Sequence, residues 1–149
     1  MYLTHDPIDV GSLAHAVHSP ARGGLVIFAG QVRDHHEGRA VRRLEYSAYP
    51  AMAEAECRAI VDEAATRWPV AVALRHRLGV LEVGELAVAV AVAGAHRGEA
   101  FQACRWIIDE VKRRVPIWKR ESYADGSEAW VDPTAPGGTM PAAAPESST

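Results

Sequence analysis

Cysteine is almost missing from this chain: of 149 residues only Cys57 and Cys104 carry a thiol, too few for a disulfide framework. Both fall in helix-like segments on or beside an apolar stripe. Neither belongs to a CxxC, and neither has a local His or Asp arrangement that would make it a nucleophile. They read as buried structural thiols, so sulfur chemistry here would take its sulfur from elsewhere. Long apolar runs are missing too. The longest, Leu86 to Ala95, falls well short of the about 20 residues that cross a bilayer. The start, Met1-Tyr2-Leu3-Thr4-His5-Asp6, lacks the basic segment and apolar stretch of a secretory signal, so a cytoplasmic location is expected. No large excess of one charge exists: 16 basic against 19 acidic residues leaves a net −3, which does not suggest a nucleic-acid partner. GxxxxGK[ST], GxGxxG and GxSxG are all absent, leaving nucleotide-binding and serine-hydrolase readings without local support. His35-His36 and His76 stand at no ligand spacing such as HxxxH or CxxC, so no metal is expected.

Lysine is the scarcest of the common charged types. Of 16 basic residues 14 are Arg, and Lys112 and Lys119 are the only lysines. The two types differ where a compact ammonium, or an amine able to lose its proton, is needed, because guanidinium stays protonated. Lys112 lies four residues after Ile108 at the edge of an apolar stripe, and Lys119 lies just past Pro116 beside Trp118. Both can line one cleft near a helix end; the alternative is a pair of ordinary boundary lysines that snorkel to water. From His96 to Arg120 there are seven Lys or Arg against three acids, a stretch that favours a small anion. His96 and Arg97 occupy a strand-to-helix turn, where free N–H groups and the helix dipole suit a phosphate or carboxylate; a solvated polar turn is the competing reading. Arg33, at the end of an early strand, either reaches the same rim or is simply exposed.

Along the chain, Asp9 caps a short helix over Val10 to Val17, and Ser19-Pro20 to Gly24 breaks it. Leu25 to Ala29 reads as a strand, Arg33 to Arg39 as a loop, and Val41 to Tyr49 as a second strand paired with the first. Pro50 suits a helix start; Cys57, Ile60, Val61, Ala64 and Trp68 mark its buried face, and Pro69 ends it. Val70 to Leu74 and Leu86 to Ala93 are further strands, joined by a polar connection through Gly79 and Gly84. In the second, Leu86, Val88, Val90 and Val92 alternate with alanines, as in a central strand with one bulky face and one small face that admits a helix closely. Gly94 to Gly98 turns into a helix with Phe101, Cys104, Ile108, Val111 and Val115 as its stripe. Pro116 stops it, Ile117 to Tyr123 is a strand, and Asp125-Gly126 turns into Ala129-Trp130-Val131. The order β-α-ββ-α-ββ-α-ββ is an α+β domain over residues 1–132 with two long helices against a mixed sheet. Residues 133–149, rich in Pro, Ala, Gly, Ser and Thr, read as a disordered tail.

Several separated motifs resemble the large subunit of molybdopterin synthase, the MoaE family, across about residues 23–131. They are Phe28-Ala29-Gly30-Gln31-Val32-Arg33-Asp34-His35, Leu44-Glu45-Tyr46 with Tyr49-Pro50-Ala51-Met52-Ala53, Arg67-Trp68-Pro69, His76-Arg77-Leu78-Gly79, Ala95-His96-Arg97, and Pro116-Ile117-Trp118-Lys119-Arg120-Glu121. Lys112 precedes Lys119 by seven residues, as in the family's lysine pair. The resemblance implies an α/β hammerhead-type fold with a smaller antiparallel β subdomain, and a homodimer binding one small ubiquitin-like, MoaD-type subunit at each end, a heterotetramer. It further implies that the small subunit's Gly-Gly tail, ending in a thiocarboxylate, delivers sulfur to cyclic pyranopterin monophosphate, with no cofactor of the large subunit's own. By the same resemblance Lys119 is the reacting centre, Lys112 contacts the incoming tail, and Arg33, His96 and Arg97 hold substrate. The sequence departs from the family after Trp130-Val131, where Asp132-Pro133-Thr134 stand in place of a basic residue contributed across the dimer. Without the resemblance, the same basic rim would equally suit a non-catalytic anion- or nucleotide-binding regulatory domain.

Overall fold

The computed structural model describes residues 1–131; the tail expected at 133–149 and the departure at Asp132-Pro133-Thr134 lie outside them. The chain runs β1 (Leu3–Thr4), α1 (Val10–Ala16), β2 (Gly24–Gln31), β3 (His35–His36), β4 (Arg39–Ala48), α2 (Pro50–Arg67), β5 (Val70–Arg77), β6 (Gly79–Glu82), β7 (Leu86–Gly94), α3 (Arg97–Arg114), β8 (Ile117–Tyr123) and β9 (Glu128–Val131). It is an α+β fold of three helices, a mixed four-stranded sheet ordered β1-β5-β7-β2, and a curled antiparallel sheet of β3, β4, β6, β8 and β9.

The alternating strand β7 organises the first sheet. It lies between β5 and β2, both antiparallel to it. Its valines Val88, Val90 and Val92 enter the main core with Cys57 and Ile60 of α2 and Ile107 and Val111 of α3. Its alanines Ala89, Ala91 and Ala93 face Leu13 of α1 and the following Val17. The small face thus admits a helix, as its side chains require, and that helix is the short α1. Asp9 caps α1 by accepting from Ser12 N–H at 3.2 Å.

Five expectations are corrected. The strand β4 does not pair with β2; it pairs with β3, β6 and β8. The cause is local: Glu37 (φ 49°) and Gly38 (φ 78°) both take left-handed backbone, the two-residue turn that closes a hairpin between His36 and Arg39. The expected loop at 33–39 therefore contains β3 and sends β4 into the second sheet. The polar connection through Gly79 and Gly84 contains β6, a strand of only four residues, too short for its alternation to register. Phe101 is not in the buried stripe of α3; it is 59% exposed, and Ala100, Ala103 and Ile107 are buried instead. Trp68 lies one residue past the end of α2 and meets Trp106 of α3, with ring centroids 5.8 Å apart.

One packing contact fixes the relation of β2 to α3. A Cβ built on Gly24 would stand 2.9 Å from the backbone N of Arg97 and 3.0 Å from its Cα, and backbone cannot yield as a flexible side chain can. Gly24→Ala should therefore destabilise the fold by about 1–3 kcal/mol, readable as a lowered urea midpoint at unchanged m-value. A midpoint equal to wild type would show that this end of α3 is free to shift.

Candidate active site

The α3 helix and β8 meet at a sharp corner. Val115 N–H donates to Val111 O at 3.0 Å, Ile117 N–H donates to Val115 O at 2.8 Å, and Pro116 between them cannot continue a helix. That corner brings Lys112, on the last turn of α3, and Lys119, on β8, to one cleft. Gly30 and Gln31 from β2, Tyr46 from β4 and His76 from β5 complete its polar and backbone lining, over an apolar floor that includes Val111 and Ile117. Its volume is about 100 Å³, below the roughly 300–1,000 Å³ of sites that enclose a drug-sized ligand. Within this chain alone the cleft does not enclose a ligand of that size.

The charges in the cleft are unequal. Lys119 is half-buried, and desolvation holds its pKa below the usual lysine value; Glu121 pulls it back up, while Lys112 and Arg33 push it further down. His76 is 8% exposed, and its Nδ1 lies 2.8 Å from the carbonyl O of Arg77. A carbonyl only accepts, so Nδ1 carries the proton and Nε2 keeps a lone pair. Burial lowers the His76 pKa to about 4, the Arg77 carbonyl opposing and Lys112 assisting. Tyr46 meets the His76 ring edge-on with centroids 5.1 Å apart, and burial, then Glu121, raise its phenol to about 12. At neutral pH the cleft thus holds a neutral imidazole and a neutral phenol beneath basic side chains, an arrangement that attracts anions and stabilises negative charge developing between the lysines.

Arg33 lies close enough to Lys119 to act on its charge. His96 and Arg97 are elsewhere. They are exposed at the start of α3, and His96 is its N-cap without a side-chain capping bond. Arg97 and Lys112 are the two ends of an unbroken helix and so stand about 22 Å apart along its axis. Within one chain, therefore, Arg33 and the His96-Arg97 pair do not share a rim, because β2 runs from Gly24, packed on Arg97, to Gln31 at the cleft. Sequence reasoning assigned no role to His76, Tyr46 or Glu121, although each stands in one of the quoted motifs. Among the described residues no group of three or more His, Cys, Asp or Glu side chains could hold a metal ion, and no helix is long and apolar enough to cross a membrane.

Both thiols are away from this chemistry. Cys57 is fully buried and Cys104 is 3% exposed. Burial raises the Cys57 pKa to about 12 and raises that of Cys104 as well, which suppresses the nucleophilic thiolate. A Cys57→Ala, Cys104→Ala double variant should keep its turnover and lose only stability. Lost turnover in a folded double variant, or a persulfide found by mass spectrometry on either thiol, would overturn this.

The MoaE protein family model matches residues 3–114. A molybdopterin synthase catalytic subunit of Pyrococcus abyssi is 52% identical over 117 residues, 78% of each chain. The crystal structure of molybdopterin synthase from Staphylococcus aureus superposes with a TM-score of 0.83 at 34% identity, covering 87% of this chain and 94% of that one. A chain in the complex of subunits 1 and 2 of the molybdopterin-converting factor from Helicobacter pylori has the same fold, with a TM-score of 0.69 at 20% identity over 87% of this chain and 88% of that one.

Proposed function

Because the chain belongs to the MoaE family and its function is that of a molybdopterin synthase catalytic subunit, we propose that it draws sulfur from the C-terminal thiocarboxylate of a small ubiquitin-like, MoaD-type carrier. The acceptor is cyclic pyranopterin monophosphate, which gains the two sulfurs of the molybdopterin dithiolene. The observation that carries this reading is a narrow cleft with two lysines and no thiol at its wall. Thiocarboxylate and phosphate are both anionic, and fixed cations in a partly dry site stabilise them more than water does. Each transfer returns one carrier thiocarboxylate as a carboxylate while its sulfur replaces an oxygen of the precursor. The two transfers together take up one net water, at the opening of the cyclic phosphate, which stays on the product as a monoester, so no thiol of this chain need form a covalent intermediate. The narrow cleft suits an extended Gly-Gly tail, and the subunit pairing named for the H. pylori complex is consistent with a small-subunit partner. In this reading Lys119 is the reacting residue, Lys112 meets the tail, and the two sheets with their helices form a hammerhead-type domain with a smaller β subdomain.

The substrate side needs a second copy of the chain. One edge of the four-stranded sheet is β2, with Leu25 50%, Ile27 38% and Phe28 37% exposed, and Phe101 of α3 is exposed as well. A bare apolar edge is a pairing surface. Antiparallel pairing of two β2 strands about a two-fold axis sets the Gly24 end of one beside the Gln31 end of the other. The strand spans about 23 Å, matching the separation of Arg97 from Lys112 along α3. The symmetry therefore carries His96 and Arg97 of each protomer to its partner's cleft, where they join Arg33 in holding the substrate anion. One carrier at each end makes a heterotetramer.

Reconstitution tests the whole reading: the purified chain, a thiocarboxylated carrier and the pterin precursor should together yield a dithiolene product and a carboxylate-ended carrier. Anion binding without turnover, or turnover without a carrier, would sink it.

A further inference from the structure

The inner face of the curled sheet is apolar, lined by Val32, Val41, Leu44, Leu81, Ala87 and Tyr123, yet Glu121 stands on it at 1% exposure. Its Oε1 has no hydrogen-bond partner, and its Oε2 lies 3.8 Å from His36 Nδ1, too long for a hydrogen bond. A buried carboxylate held so poorly is costly unless a positive charge compensates it. His36 is a weak candidate, since it is charged only when protonated and its Nε2 is turned toward Glu37 Oε1 at 3.6 Å. Arg120, next to Glu121 on β8, pairs with Glu45 instead, which leaves Lys119 as the permanent cation on the same face of the strand. As residues i and i+2 of β8, Lys119 and Glu121 project from the same face, about 7 Å apart along the strand, and their opposite cross-strand neighbours are Tyr46 and Leu44. The other charged or titratable groups around Lys119 are Lys112 from α3, Arg33 beyond β2 and His76 from β5; around Glu121 they are His36, Tyr46 and Tyr123.

We propose that Glu121 is a positioning residue: its buried carboxylate is the fixed counter-charge that keeps Lys119 in the cleft as an ammonium despite the desolvation and the two neighbouring cations. This rests on the reading of Lys119 as the reacting residue and deepens it. Lys119 then enters the reaction protonated, as an acid or stabiliser of negative charge rather than as a base. The direction in which Glu121 acts on the Lys119 equilibrium agrees.

The scarcity of lysine makes a direct test practical. With Lys112 and Lys119 as the only two lysines, a side-chain Cε label gives two NMR signals, assigned by a Lys112→Arg variant. In full-length Glu121→Gln the Lys119 signal should titrate at a pH lower by on the order of one pH unit, with a smaller change at Lys112. The alkaline limb of the turnover-against-pH profile should fall by the same amount, while KM for the carrier stays near wild type. Glu121→Met, whose side chain suits the apolar lining, should repeat the result if the amide variant is poorly folded, and Glu121→Asp should restore most of the shift. An unchanged Lys119 titration in a folded Gln or Met variant, or an Asp variant that behaves like Gln, would overturn the proposal. A lowered titration whose alkaline limb does not follow would leave the counter-charge established and remove Lys119 from the reaction instead.

Discussion

Lys119→Ala should lower dithiolene formation by at least about a hundredfold, the lower end of what a positioned acid or base contributes, with little change in stability or in carrier affinity. Its side chain is only half-buried at the cleft wall, and the packing of β8 rests on Ile117, Trp118, Glu121 and Tyr123, all buried. Lys119→Arg should fail nearly as badly. Guanidinium keeps the charge, but it spreads that charge over a planar fork, reaches further, and cannot release a proton at neutral pH, and a cleft of about 100 Å³ has little room for it. Single-turnover measurement with saturating carrier separates chemistry from binding. An Arg variant near wild-type rate would show that positive charge alone suffices and would remove proton transfer at Lys119. An Ala variant near wild-type rate would move the reacting centre elsewhere in the cleft.

The parts of this molecule that were legible in its sequence are those set by local chemistry. Pro50 and Pro116 mark a helix start and a helix stop because proline fits the first turn and cannot continue the last, and the structure has α2 beginning at Pro50 and α3 ending at Arg114. The valine-alanine alternation of β7 announced a strand buried on both faces. Lys112 and Lys119 were traceable to one cleft because only a proline corner separates them. What was not legible depends on partners distant in the chain. Nothing in Val41 to Tyr49 says which strand lies alongside, and the two positive-φ residues Glu37 and Gly38 decide it from outside the strand. Phe101 has the hydrophobicity of a core residue, but its position on α3 turns it toward the exposed β2 edge. Glu121 was read as part of a motif and given no task, since its meaning comes from burial on an apolar sheet face. The distance from Arg97 to Lys112 is implicit in the sixteen helical residues from one to the other, yet the exposed apolar edge at β2 leaves no mark in the chain's periodicity.

Mixed dimers carry the strongest test of that second chain. Arg97→Ala alone should weaken binding of the pterin phosphate by about ten- to a hundredfold, the cost of about 1.5–3 kcal/mol for one charge-assisted hydrogen bond, and leave carrier binding unchanged. Lys119→Ala alone should be nearly inactive for the reason already given. Joined in one dimer, the two variants complement each other if the site is shared between protomers. The Arg97→Ala protomer supplies an intact Lys119 to a cleft that receives Arg97 from the Lys119→Ala protomer, and one of the two sites is whole. The other site carries both defects. A heterodimer purified with two different affinity tags should therefore recover about half of wild-type turnover per dimer, the fraction that two-fold symmetry dictates. If His96 and Arg97 served the cleft of their own chain, each protomer would carry one broken site and the heterodimer would be no better than its parents. The length of α3 argues against that second outcome, since no rearrangement short of breaking the helix brings Arg97 to Lys112 within a single chain.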